Sequence, residues 1–248
     1  MAKLIKIFGF NSIEGLLVQN SQLIANVMIL DTRHDKRINK LTSKLDLNKI
    51  PFSYNSRDNL DKISKGEAHQ GVISEIFLPP IQNEESLLNS ITNFDQYPLI
   101  LILDSIQDPR NLGACLRSAN AAGVSHVIIN KDGSAPINSL VFKASAGAIA
   151  NLQIYHVTNL SRIIKEIQKI GIWVLGLDGS AQTSIYSINL SGAIAIVVGS
   201  EGKGIRQLIK KTCDQIVSIP MSKNIESLNV SVASAITLFE IKRQRESA

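Results

Sequence analysis

Five polar side chains, Asn111, Arg117, Glu201, Ser227 and Asn229, each stand close to a point where an apolar run breaks. An amide, a carboxylate and a hydroxyl can organise one another by hydrogen bonds. A guanidinium matches a phosphate bidentately and stabilises developing negative charge. Such a set serves alignment and charge stabilisation. Each residue also has a plainer use: Asn111, Ser227 and Asn229 as helix caps, Glu201 as a turn carboxylate, Arg117 on a solvated helix face.

The elements that must hold these residues follow from the hydrophobic pattern. An apolar strand, Ala193-Ile-Ala-Ile-Val-Val198, runs into Gly199-Ser-Glu-Gly-Lys-Gly204, and Ile216-Val-Ser-Ile219 breaks at Pro220-Met221. Ser227-Leu-Asn-Val-Ser-Val-Ala233 opens a long terminal helix. Earlier, Asp108-Pro-Arg-Asn-Leu-Gly113 precedes a helical run in which Arg117 interrupts Leu112, Ala114, Cys115, Leu116, Ala119 and Ala121. Asn111 is placed at that helix's cap. Strands are expected at residues 99–103, 126–129, 152–156, 173–177, 194–198 and 215–219. Helices are expected at 112–122, 138–143, 159–170, 205–211 and 228–245. Continuous apolar strands separated by amphipathic helices predict a mostly parallel sheet covered on both faces. Strand ends and helix N-termini then present backbone groups where a polar ligand binds. The terminal helix carries Leu228, Val232, Ile236 and Phe239 at helical spacing, a stripe for the core or for a dimer interface.

Glycine loops of other kinds are absent. No G-x-x-x-x-G-K-[ST] occurs, and no G-x-G-x-x-G follows the first strand of the second half, where Asp104-Ser-Ile-Gln-Asp108 stands instead. The order of the three segments, Asp108-Pro-Arg-Asn-Leu-Gly with Arg117, then Gly199-Ser-Glu-Gly-Lys-Gly, then Ser227-Leu-Asn-Val-Ser-Val-Ala, resembles the motif triplet of the SpoU branch of the SPOUT methyltransferases. The likeness spans residues 99–245. It implies an α/β fold: an α/β-knot domain with a mostly parallel sheet, whose C-terminal segment threads a loop, preceded by a small α/β RNA-binding domain. It implies methyl transfer from S-adenosylmethionine to a ribose 2′-hydroxyl, with no metal and with backbone contacts from Gly199, Ile219 and Leu228 to the donor. A homodimer with each site completed near the subunit boundary is also implied. The likeness is closest to the group acting on a guanosine in the peptidyl-transferase region of 23S rRNA. A tRNA ribose methyltransferase and a non-catalytic RNA-binding protein of the same fold are the alternatives. In this family the matching arginine has been proposed as the base; an arginine stays protonated in proteins, so Arg117 is read as holding phosphate and stabilising the alkoxide, with direct proton acceptance left open. Residues 68–72, Ala-His-Gln-Gly-Val, resemble the family's substrate-binding domain, but Asn11 stands where that domain carries a histidine.

Composition agrees with two domains. Hydrophobic residues make up 44% and charged ones 19%, and the net charge is +5. Residues 1–78 carry 11 Lys+Arg against 8 Asp+Glu, residues 79–97 none against 3, and residues 98–248 carry 15 against 10. The basic outer segments suit an RNA backbone. Strands at 4–8, 25–30, 51–54 and 71–77 alternate with helices at 12–20, 35–45 and 56–63, capped by Ser12 and Ser56. The boundaries expected are 1–78 for RNA binding, 79–97 for a linker partly ordered at best, and 98–248 for catalysis. Cys115, Cys213 and four scattered histidines give no metal-ligand spacing. No apolar run has the length of a membrane span and no secretion signal is visible, so a cytoplasmic enzyme without membrane contact is expected. Donor recognition is expected to rest on backbone groups, with no acidic strand-end partner for a ribose. A bulky residue at Gly199 is then expected to strike the ligand, while Lys203 points to solvent.

Overall fold

A computed structural model describes residues 4–222 and 227–247. In chain order its elements begin β1 (Leu4–Phe8), α1 (Phe10–Gln19), β2 (Ile24–Leu30), α2 (Lys36–Leu47), β3 (Phe52–Asn55), α3 (Arg57–Ser64), β4 (Val72–Phe77) and α4 (Glu84–Thr92). There follow β5 (Leu99–Asp104), α5 (Pro109–Ala122), β6 (His126–Asn130), α6 (Ser139–Ala144), β7 (Gln153–Val157), α7 (Leu160–Lys169) and β8 (Trp173–Leu177). The last are β9 (Ile194–Gly199), α8 (Gln207–Thr212), β10 (Gln215–Val217) and α9 (Val230–Glu246).

The chain forms two units. The first joins Met1–Pro80 to the later segment Ile137–Asn151. Its four-stranded sheet has the order β1-β4-β2-β3, antiparallel except for the β2–β3 pair. Helix α2 buries Ile38, Leu41 and Leu45, the spacing of one helical face. Helix α1 starts two residues before the expected Ser12, because Gly9 at φ 82° turns the chain out of β1. Ser12 is therefore inside the helix. Ser56 does cap α3, accepting from the Asn59 N–H. The guanidinium groups of Arg33 and Arg37 both lie over the Phe10 ring, at 4.6 and 4.4 Å from its centroid. Arg37 also donates to Asn11 Oδ1 at 2.7 Å. Within this unit α6 packs on β1, Phe142 is buried, and Lys143 pairs with Glu67 at 3.6 Å.

The second unit, Ile81–Pro136 with Leu152–Ala248, holds a six-stranded sheet of order β10-β8-β9-β5-β6-β7. Every pairing in it is parallel. All six carboxyl ends therefore share one edge. Strands β5, β6 and β9 are buried along their whole length, as a sheet covered on both faces requires. The segment expected as a loose linker contains α4, and its Leu87 and Ile91 are buried among Ile100, Tyr155, Ile163 and Ile167. Its weak apolar stripe was sufficient once a complementary face existed to receive it. The expected threading involves a C-terminal segment that includes residues 223–226, which lie outside the described residues.

Candidate active site

Register brings the first two strand ends together. Within the sheet Asp104 lies opposite Gly199, and Gly176 opposite Val197, so the loops after β5, β8 and β9 leave from neighbouring positions on one edge. The loop after β9 folds back as a tight hairpin. Ser200 N–H donates to the Gly204 carbonyl at 3.1 Å and Gly204 N–H to the Ser200 carbonyl at 2.8 Å. Gly202 and Gly204 take φ values of 77° and 63°, open to glycine at no steric cost. Gly199 has a different constraint. A Cβ there would lie 2.0 Å from the Gly204 carbonyl carbon and 2.1 Å from Ile205 N. The clash expected with a ligand is first of all a clash with the loop's own backbone.

Helix α5 is capped by Asp108, whose side chain accepts from the Arg110 N–H at 2.8 Å, with Pro109 as its first residue. Asn111 thus sits in the first turn rather than at the cap, and its amide is left to act elsewhere. The Asp-Pro pair carried that signal, since proline's fixed φ favours the first helical position. Asn111 Nδ2 donates to Glu201 Oε2 at 2.8 Å. Asn229 Nδ2 donates to Asn111 Oδ1 at 3.0 Å and to Glu201 Oε1 at 3.4 Å. Asn229, not Ser227, is the cap of α9, accepting from the Ser231 N–H at 2.9 Å. One residue from each of three distant segments closes a single hydrogen-bonded network.

The network borders a cleft of about 330 Å³. Its wall includes Gly199, Glu201, Ile219, Met221, Ser227 and Leu228. Gly199, Ile219, Leu228, Glu201 and Ser227 thus line one cleft, and Asn111 and Asn229 reach it through their hydrogen bonds to Glu201. Lys203 also lines the cleft and is exposed. Arg117 stands apart. Six residues beyond Asn111 it is rotated about 120° around the helix axis. It is exposed, makes no ion pair with a described residue, and is not in the cleft wall.

Two acidic residues of this edge escaped the sequence reading. Asp104, ending β5, is fully buried. It accepts from Arg206 N–H at 3.0 Å and Nε at 2.7 Å, which pins the far end of the glycine loop to β5. Asp178, directly after β8, lines the cleft, so an acidic strand-end residue is present after all. Burial raises its pKa, but hydrogen bonds from Lys210 and Ser180 outweigh that and hold the carboxyl at about 2. The signal for both was an aspartate at the end of an apolar strand. Among the described residues no three His, Cys, Asp or Glu side chains gather as a metal site would.

Residues 98–239 match the model of the SpoU rRNA Methylase family, and residues 6–82 match that for RNA 2′-O ribose methyltransferase substrate binding. A 23S rRNA (guanosine-2′-O-)-methyltransferase RlmB of Haemophilus ducreyi is 44% identical over 243 residues, covering 98% of each chain. Among solved structures, an RNA 2′-O ribose methyltransferase superposes with a TM-score of 0.78 at 25% identity, over 99% of this chain and 90% of that one. The SpoU methyltransferase AviRb from Streptomyces viridochromogenes, solved with AdoMet, gives a TM-score of 0.79 at 19% identity, over 99% and 92%; it shares the fold. With its three motifs joined at one sheet edge and the family model matched across 98–239, this chain belongs to the SpoU rRNA methylase family.

Proposed function

We propose that this protein transfers the methyl group of S-adenosylmethionine to a guanosine 2′-hydroxyl of 23S rRNA. The observation that carries this reading is the Asn111–Glu201–Asn229 network at the rim of a cleft lined by the loops after β8 and β9 and by the residues that lead into α9. Near-full-length similarity to an enzyme named for that reaction supports the substrate. The cleft has the size of a small-ligand site, and Gly199, Ile219 and Leu228 offer the backbone groups for the donor. When bound, the donor supplies an electrophilic methyl group. The chain's own work is alignment and charge stabilisation. Asn111 and Asn229 fix Glu201, and Ser227 faces the same cleft. Arg117 holds an RNA phosphate and stabilises the developing alkoxide.

The functional unit is a homodimer in this reading. On α9, Val232 and Phe239 keep 46% and 47% of their surface exposed, an apolar stripe that a second copy would cover. Completion of the site near that boundary accounts for Arg117 being exposed on α5. The N-terminal residues recruit RNA, with Arg33 and Arg37 braced on Phe10, and the enzyme works in the cytoplasm on rRNA. Among the described residues no helix is long and apolar enough to cross a membrane.

The test is methyl transfer from labelled donor to 23S rRNA, paired with ribose-methylation mapping of rRNA from cells with and without this chain. One guanosine losing its 2′-O-methyl group is the expected result. An unchanged rRNA map together with methylated tRNA would move the substrate.

A further inference from the structure

The cleft wall holds a carboxylate that the proposed reaction leaves unused. Asp178, with Gly179 and Ser180, lines the cleft where β8 ends. Its geometry is fixed. Oδ1 accepts from the Ser180 N–H at 2.9 Å and from Ser180 Oγ at 2.5 Å, and Oδ2 accepts from Lys210 Nζ at 2.8 Å. A carboxylate offers about four acceptor positions. Described residues fill three, leaving one on Oδ2, and the side chain retains 21% of its surface. The other acidic residue of the wall, Glu201, has both oxygens engaged by Asn111 and Asn229.

An ionised acceptor with an open position, rigid at the carboxyl end of a parallel strand, suits a sugar hydroxyl. We propose that Asp178 is a specificity residue for the methyl donor, accepting a hydrogen bond through Oδ2 from a ribose hydroxyl of the donor's nucleoside. The inference rests on the reading of this cleft as the donor site. The competing role is purely structural: Asp178 would only cap its turn and tie β8 to α8 through Lys210.

Two substitutions separate these roles. Asp178→Asn keeps the oxygen that accepts from Ser180 and removes the charge. Lys210→Met removes the ion pair and keeps the carboxylate. Calorimetry on the full chain would use S-adenosylhomocysteine and its 2′-deoxy and 3′-deoxy analogues, with thermal denaturation confirming that each variant is folded. Asp178→Asn is expected to weaken S-adenosylhomocysteine roughly ten- to hundredfold, the scale of a hydrogen bond to a charged group. One deoxy analogue should lose a similar factor on the unsubstituted protein and nothing further on Asp178→Asn, the mark of direct coupling. Lys210→Met should bind within about threefold of the unsubstituted protein, since it takes no acceptor away. Equal discrimination of the deoxy analogues by both proteins would overturn the assignment. So would a loss in Lys210→Met matching that in Asp178→Asn. Failure of the unsubstituted protein to bind S-adenosylhomocysteine at all would instead overturn the donor-site reading, and this inference with it.

Discussion

Gly199 shows how a residue's role changes once its neighbours are known. Without a Cβ it lets the Ser200–Gly204 hairpin close over it; with one, the Gly204 carbonyl carbon must move. Gly199→Val should therefore abolish donor binding and also lower the melting temperature, whereas Lys203→Ala should change both little because that side chain is exposed. Calorimetry and thermal denaturation on the pair check this; a fully stable Gly199→Val protein would mean that the loop can open. Glu201 illustrates the opposite case, a side chain valued for its acceptors. Glu201→Gln puts an amide donor against the Asn111 or Asn229 amide. Transfer should fall roughly tenfold or more, the scale of a charge-assisted hydrogen bond. Arg117→Ala should abolish transfer with donor affinity intact, since Arg117 is outside the cleft wall. Arg117→Lys should also fail, because an ammonium lacks the planar fork. Near-normal turnover of either arginine variant on rRNA would remove Arg117 from the reaction.

Elements carry their own consequences. Helix α9 buries Val230, Ser234, Thr237, Leu238 and Ile241, while of the stripe Leu228, Val232, Ile236 and Phe239, read from spacing as core or dimer interface, Val232 and Phe239 stay exposed. Two faces of one helix are thus occupied, one by the fold and one by the proposed partner copy. Strand β6 offers a test of stability. His126 is buried between Phe94 and Tyr155, with Ser90 and Ser125 hydroxyls at its ring nitrogens. Burial lowers its pKa to about 4 from an ordinary 6.5. Between these values the unfolded chain binds a proton that the folded one does not, so stability declines as pH falls through that window and His126 contributes no further loss below it. Thermal melts from pH 7 to pH 4 should show a shallower decline for His126→Gln than for the unsubstituted protein. Parallel declines would place the acid sensitivity elsewhere.

At the scale of the molecule, the unit boundaries alter what a truncation removes. A chain starting near Asn93 would lack α4 and uncover the surface that receives Leu87 and Ile91, a loss of about 3–6 kcal/mol for two aliphatic side chains. It should be prone to unfold. A chain starting at Ile81, with residues 137–151 replaced by a short polar linker, should keep the six-stranded sheet and bind the donor while losing RNA affinity. Filter binding with rRNA and calorimetry with donor measure the two properties separately. Undiminished rRNA binding by that shortened chain would give the first unit another task.

What the sequence determined by itself is what local pattern encodes. The strands at 99–103 and 194–198 are continuous apolar runs, and their structural counterparts are buried throughout because such runs have no polar face to leave in water. The three motifs were legible in order, and so was the class of chemistry that a family sharing them performs. The tertiary structure decided everything that depends on register and rotation. Parallel pairing of β5 with β9 set Asp104 beside Gly199, and the Asp108 cap turned Asn111 towards Glu201 while leaving Arg117 outside. Asp178 became a cleft residue because β8 ends where the glycine loop begins its hairpin. Residues 137–151 joined the first unit, though their neighbours in sequence belong to the second. No periodicity along the chain encodes these placements, because each depends on which distant surface an element meets when it buries its apolar face.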